Sequence, residues 1–256
     1  MLHPTAIIDP SAVLGEGVEV GPYTVIGADV TIGAGSRVAS HVVIKGPTTI
    51  GCDNRIFQFA SIGDAPQDLK YNGEPTRLEI GDRNTIREAV TISRGTVGGG
   101  GLTTIGDDNL IMAYVHIAHD CQVGSRNIFS NNASLAGHVT IGEQVILSGF
   151  TLVHQFCAIG DHAFTGMGSA ISKDVPPYLM IAGNPAAPHG INKEGLKRRG
   201  FEREAVEKIV AAYRTLYRSG LSFEAAKEEL LQVAKESAEV ALFVEALLAT
   251  RRGIIR

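Results

Sequence analysis

The chain has 256 residues, a formal net charge of −4 and 20% charged residues. So mild an acidity gives no footing for nucleic acid, no apolar run reaches the length of a membrane span, and Met1–Pro10 lacks the basic start and apolar core of a secretory signal. Three cysteines, Cys52, Cys121 and Cys157, are odd in number and too far apart for a disulfide framework or a CxxC pair, which points to a reducing, cytoplasmic compartment.

From the first residues an aliphatic side chain recurs every six positions, at Ile8, Leu14, Val20, Ile26, Ile32, Val38, Ile44, Ile50, Ile56 and Ile62. Glycine follows at Gly15, Gly21, Gly27, Gly33, Gly51 and Gly63. The beat returns at Ile80, Ile86 and Ile92, slips by one residue, then runs from Ile105 through Ile111, Ile117, Val123, Phe129, Leu135, Ile141, Leu147, Val153, Ile159 and Thr165 to Ile171. A helix has period 3.6 and a flat alternating strand period 2, so neither produces it. A short repeat of this kind marks a parallel β-helix, whose coils bury their side chains only by stacking on one another.

Two segments interrupt the beat. Asp64–Glu79 contains Pro66, Gly73 and Pro75, and Thr96–Thr103 contains Gly98–Gly101. A solenoid extrudes such loops from one face, and binding groups often ride on them. Pro176, Pro177, Gly183, Pro185 and Pro188 then punctuate a join, beyond which the pattern becomes helical. Val206, Ile209, Val210, Tyr213 and Leu216 predict a helix over Glu204–Leu216, Ser222 is placed to cap Phe223–Ala234, and Ala238–Ala249 makes a further helix. The expected organisation is a β-helix over residues 1–190 and an α-helical domain over 191–256.

Three hexapeptides can close one triangular turn, so residues 18 apart should stack ~4.8 Å apart. His119 lies two residues after Ile117, and the same phase on the next coils falls on Gly137 and Gln155. His138 and His154 neighbour those two, and His116 precedes His119, so four of the eight histidines gather on about three coils. An imidazole beside a glycine with a free N–H suits acyl transfer: one takes a proton and the other holds the developing oxyanion. The cluster also admits zinc, but His116-x-x-His119 lacks carboxylate or cysteine ligands at supporting spacing, so no metal is expected.

The stretches QDLKYNGEPTR (Gln67–Arg77), IAHDC (Ile117–Cys121), NNASLAGHV (Asn131–Val139), LVHQF (Leu152–Phe156), DVPPY (Asp174–Tyr178) and EGLKRRGF (Glu194–Phe201) resemble the UDP-N-acetylglucosamine 3-O-acyltransferase family of hexapeptide-repeat enzymes. The resemblance covers nearly the whole chain. It implies a left-handed β-helix, although parallel crossovers are normally right-handed. It also implies transfer of a 3-hydroxyacyl chain from acyl carrier protein to the 3-hydroxyl of UDP-N-acetylglucosamine, the first step of lipid A and lipopolysaccharide biosynthesis. The transfer is direct, with no cofactor beyond the carrier's phosphopantetheine, and the enzyme is a homotrimer with sites between subunits.

By the same resemblance His119 is the general base, Asp120 its orienting neighbour and Gly137 the oxyanion donor. Asp68 and Lys70 match acceptor-binding residues, and His116, His138, His154 and Gln155 match residues lining the sugar and acyl site. Asn192, Glu194, Arg198 and Arg199 match contacts to nucleotide or carrier protein; guanidinium forks suit a phosphate there. Cys121 has a packing role, since direct transfer needs no nucleophile.

Two positions depart from the pattern of many relatives. Ser93, in TISRGT, stands where they have histidine, which leaves a 3-amino sugar acceptor open beside the 3-hydroxyl. Met167 stands where long-chain relatives have glycine. It lies 48 residues beyond His119, a little under three coils or about 13 Å along the axis. At about 1.3 Å per carbon–carbon bond that leaves room for roughly ten carbons and predicts a 3-hydroxydecanoyl donor. The plainer alternative is that Met167 fills the coil interior. The close rival is another hexapeptide-repeat acyltransferase, and readings from other classes are a zinc carbonic anhydrase and a non-catalytic β-helix scaffold.

Overall fold

Each hexapeptide supplies a two-residue strand and a turn. The first strand residue faces outward and the second, the aliphatic one, faces inward. The computed structural model describes residues 1–256. Three hexapeptides make one coil, and the coils stack through parallel strands into a left-handed β-helix with three flat faces. The first face has nine strands, Ile7–Ile8 to Ala170–Ile171, and the second eight, Val13–Leu14 to Ala158–Ile159. The third has ten, beginning at Glu19–Val20.

Partners stand 18 residues apart where no loop intervenes, as in Ile26 with Ile44, Ile117 with Leu135 and Leu135 with Val153. Their side chains form columns inside the prism and are almost wholly inaccessible. Burying each such aliphatic group contributes roughly 1.5–3 kcal/mol.

The two interruptions are single excursions between consecutive strands. The first lies between Ser61–Asp64 and Arg77–Ile80, the second between Thr91–Ser93 and Leu102–Ile105. Pairing distance rises to 30 residues across the first (Ile62 with Ile92) and to 25 across the second (Ile92 with Ile117). An excess of two whole repeats keeps the beat in phase. The excess at the second is one residue more than a repeat, which is the slip seen in the pattern. Both excursions leave the corner joining the first face to the second.

At the corners the chain enters the left-handed backbone region once per turn. On the first-to-second corner these residues are Asp120 (φ 60°), His138 (φ 62°) and Phe156 (φ 66°). Ordinary L-residues adopt this region only where the surrounding structure compels it.

The repeats end at Ile171. The proline-rich join contains an antiparallel hairpin, Leu179–Gly183 with Ala186–Ile191, added to the third face beside Phe164–Thr165. Four helices follow: α1 (Lys193–Arg198), α2 (Arg203–Arg218), α3 (Phe223–Val233) and α4 (Ala238–Ala249). Ser222 caps α3 by accepting from the Ala225 N–H. The sequence pattern anticipates α2, α3 and α4 but not α1, whose six residues are too few to show a period. Asp174 ties the C-terminal segment back to the β-helix, accepting from Thr250 Oγ1 at 2.6 Å and Arg251 N–H at 3.2 Å. No helix is long and apolar enough to cross a membrane.

Candidate active site

The first-to-second corner gathers most of the chemistry. His119 and Asp120 occupy the turn after His116–Ile117, and one coil on the same turn holds Gly137 and His138. Because Asp120 is in the left-handed region, its side chain swings back beside its neighbour. His119 Nδ1 lies 2.7 Å from Asp120 Oδ2. Adjacent residues on a strand would point apart; these touch because they sit in a turn.

The Asp120 side chain is only 1% exposed and the His119 side chain 14%. Such a carboxylate needs partners. Thr96 donates its backbone N–H to Oδ1 at 2.7 Å and its hydroxyl to Oδ2 at 2.6 Å, and Thr103 Oγ1 accepts from the Asp120 N–H at 2.8 Å. An ionised carboxylate only accepts, so the His119 proton sits on Nδ1 and Nε2 is left as an acceptor. The sequence pattern did not single out Thr96 or Thr103. The signal available was that the glycine loop Thr96–Thr103 leaves the same corner that carries His119.

Gly137 lies across from the imidazole. A Cβ built on it would sit 2.6 Å from His119 Cε1, so only glycine permits the approach. Its N–H donates to no acceptor within the protein. First turn residues in this fold commonly leave that N–H free; what distinguishes Gly137 is the imidazole facing it.

His138 stacks on Phe156, with centroids 4.5 Å apart and planes 11° apart, and meets His119 edge-on at 5.1 Å. Burial first, and the neighbouring His119 against the opposing pull of Asp120, hold its pKa below the usual imidazole value. His116 hydrogen-bonds Thr91 Oγ1 at 2.7 Å, and burial with His119 nearby lowers it likewise.

Ser93, His116, His119, Gly137 and Gln155 line one cleft of about 470 Å³. Asp68, Lys70, Asp120 and His138 line an adjoining cleft on the second-face side of the corner, about 790 Å³. The first loop is anchored over them. Lys45 pairs with Asp64 at 2.9 Å, and Arg94 donates to Tyr71 Oη at 2.9 Å and to the Gly63 carbonyl at 3.0 Å.

Other expected residues lie apart. His154 lines a smaller depression of about 300 Å³ that shares Leu152 and Val153 with the first cleft. Asn192 caps α1, accepting from the Gly195 N–H. Glu194 and Arg198 are exposed on that helix, whereas Arg199 is half-buried with Nη1 3.4 Å from His162 Nδ1. None of these four lines either cleft of the single chain.

Met167 requires a correction in one respect, the alternative that places it in the coil interior. It is 77% exposed, so it does not fill the coil interior. It follows Phe164–Thr165 of the third face and therefore stands on the third-to-first corner, not above His119. A separation of 48 residues is not a multiple of 18, so the axial rise of about 13 Å comes with a displacement across the first face. Within one chain, a path from His119 to Met167 runs diagonally past Leu152 and Ala170.

Cys121 is buried, donates to the Ala136 carbonyl at 3.3 Å, and has its thiol pushed up to about 12 by burial. Such a thiol is no nucleophile at neutral pH. His119, Asp120 and His138 place ligand-type atoms within 4.8 Å of one another. Asp120 is however already engaged by two Thr96 donors and His119, which leaves little of its lone-pair capacity for a cation.

Two family models match the chain: "Bacterial transferase hexapeptide (six repeats)" at residues 4–46 and 102–137, and "Udp N-acetylglucosamine O-acyltransferase; Domain 2" at 174–255. The acyl-[acyl-carrier-protein]--UDP-N-acetylglucosamine O-acyltransferase of Thiobacillus denitrificans is 61% identical over 255 residues, covering 100% of this chain and 99% of its own. That of a Janthinobacterium is 60% identical over 260 residues, covering 100% and 99%. The solved structure of Francisella novicida UDP-N-acetylglucosamine acyltransferase superposes with a TM-score of 0.99 at 46% identity, covering 100% of this chain and 94% of that one. That of Moraxella catarrhalis UDP-N-acetylglucosamine O-acyltransferase gives 0.98 at 49%, covering 100% and 99%.

Proposed function

This chain belongs to the acyl-[acyl-carrier-protein]--UDP-N-acetylglucosamine O-acyltransferase family, and on that premise we propose that it acylates the 3-hydroxyl of UDP-N-acetylglucosamine from a 3-hydroxyacyl carrier protein. It is an acyltransferase; the acceptor, the donor and the residue roles are our reading. The reaction is the first step of lipid A biosynthesis, and we place it in the cytoplasm.

His119 Nε2 takes the proton of the sugar 3-hydroxyl while Asp120 holds Nδ1–H. The oxygen attacks the thioester carbonyl carbon, and the oxyanion of the tetrahedral intermediate is received by the Gly137 N–H. On collapse the carbon–sulfur bond breaks, and the phosphopantetheine thiolate leaves with the proton that His119 took. No metal and no covalent acyl-enzyme enters this scheme. The observation that carries it is the His119–Asp120 contact of 2.7 Å set against a glycine that only a bare α-carbon can occupy.

Ser93, His116 and Gln155 then contact the sugar from the first-face side, and Asp68, Lys70 and His138 from the second-face side. His154 borders the acyl path. Asn192, Glu194, Arg198 and Arg199 serve the nucleotide or carrier protein of a neighbouring copy, since they do not reach this chain's own clefts. A homotrimer is supported by an outward apolar stripe on the third face, where Leu110, Ile128, Ile146, Phe164 and Met180 stand on successive coils. Met167, at a corner of that face, terminates the acyl groove and selects a chain of about ten carbons.

The test is mass spectrometry of products from UDP-N-acetylglucosamine and a mixed pool of 3-hydroxyacyl carrier proteins. A 3-O-(3-hydroxydecanoyl) product is expected. Failure on this sugar with turnover of its 3-amino analogue would move the assignment to amide formation, the second reading that Ser93 in the first cleft favours.

A further inference from the structure

We propose that Thr96 is a positioning residue for this reaction and that the glycine loop it opens is a cover built over the Asp120 carboxylate. The inference rests on His119 being the general base. Three features converge on one carboxylate. Thr96 supplies both a backbone and a side-chain donor to it. Its hydroxyl and His119 Nδ1 share a single oxygen, Oδ2, at 2.6 and 2.7 Å. Gly99 then closes over the same group: any side chain there would overlap the carboxylate.

The loop is wound to make this fit. The Thr96 carbonyl accepts from the N–H groups of Gly99 at 3.0 Å and Gly101 at 2.7 Å. Gly100 (φ 96°) and Gly101 (φ 78°) turn through the left-handed region that glycine enters at no steric cost. The result is a carboxylate kept from water on the side away from His119, with its charge divided among defined donors. A hydrogen bond to a charged group is stronger than one between neutral groups, so Thr96 decides where Oδ2 points and how hard it pulls on the imidazole proton.

The role has a direction. While Thr96 donates to Oδ2, that oxygen is a weaker partner for His119. Removing the hydroxyl leaves Oδ2 free to bind the protonated imidazole more strongly. The base then becomes protonated at higher pH, and the carboxylate that orients it loses one of the donors fixing Oδ2. The other titratable groups around it are His116 on the first-face strand, His138 on the first-to-second corner, Asp68 and Lys70 from the first loop, Asp174 from the join, and Arg251 from the C-terminal segment.

The experiment compares kcat and KM across pH for the full-length enzyme and its Thr96→Val, Thr96→Ala, Thr96→Ser and His119→Asn variants, with melting temperatures alongside. For Thr96→Val and Thr96→Ala, kcat is expected to fall roughly tenfold or more, with KM within about twofold and the acid limb moved to higher pH. Thr96→Ser should recover most of kcat and the original limb. Wild-type kcat and limb in Thr96→Val would overturn the proposal. So would a Thr96→Ser enzyme as slow as Thr96→Val, or hydroxyl-free variants that fail to fold. A normally active His119→Asn enzyme would remove the general-base reading itself, whereas an inactive one beside an unaffected Thr96→Val removes only the positioning role.

Discussion

The imidazole of His119 occupies the volume that any side chain at position 137 would need: a Cβ on Gly137 would lie 2.6 Å from His119 Cε1. The pair is therefore one unit, in which the proposed base is seated against the residue proposed to receive the oxyanion. Gly137→Ala should cost at least a hundredfold in kcat, because it displaces the base and crowds the N–H together. Circular dichroism should show an unaltered β-helix, since residue 137 is a turn residue outside the interior columns. An active Gly137→Ala enzyme would contradict the arrangement.

A base must be unprotonated to act, so kcat/KM should fall toward acid with the slope of a single proton. His138 is held below the usual imidazole value, chiefly by burial. His138→Gln should lower the rate but keep the limb, while His119→Asn should abolish activity by more than a hundredfold. Loss of the limb in His138→Gln would reassign the base.

His162 makes a separate pH prediction, about stability. Burial first, then Arg199 and Arg126, push its pKa down to about 4, against about 6.5 in an unfolded chain. Between those values the unfolded chain holds the proton and the folded chain does not. Stability is therefore fully present above about pH 6.5 and is lost progressively as pH falls through about 4. Urea midpoints at pH 7 and pH 5 should drop more for the wild type than for His162→Gln; equal drops would show that the imidazole is not the cause.

Met167→Gly should move donor preference toward longer 3-hydroxyacyl chains and leave kcat on the new optimum within about tenfold of the original. Competition among donors of graded length, read by mass spectrometry, decides this. Unchanged selectivity would mean that the exposed thioether does not end the groove.

Cys121→Ala should retain activity within a fewfold, because a thiol pushed up to about 12 does not ionise at working pH. Removing a small buried side chain costs about 1 kcal/mol of stability, measurable as a lower melting temperature. Complete loss of turnover in a folded variant would point to an acyl-enzyme.

The fold was legible because its unit is short and repeated: Ile117, Leu135 and Val153 announce three stacked strands before any coordinate is known. The same count placed Gly137 and Gln155 on the His119 corner, where the structure has them. Other features were illegible for physical reasons. That His119 touches Asp120 depends on a left-handed φ at residue 120, which the aliphatic beat does not itself record. Thr96 reaches Asp120 across an excursion whose path no period describes. Counting also misleads unless taken modulo the coil, as Met167 shows: its height above His119 was readable, but its corner required the remainder.

Both excursions begin and end on one corner, and the strands flanking them keep their aliphatic partners, Ile62 on Ile92 and Ile80 on Ile105. The aliphatic columns are thereby insulated from the two excursions. The first loop can be shortened, lengthened or exchanged without moving an aliphatic column, provided its ends return to the same two strands, whereas the second must keep Thr96 on Asp120. Reshaping the wall around the acceptor is thus a local operation on a frame that does not register it.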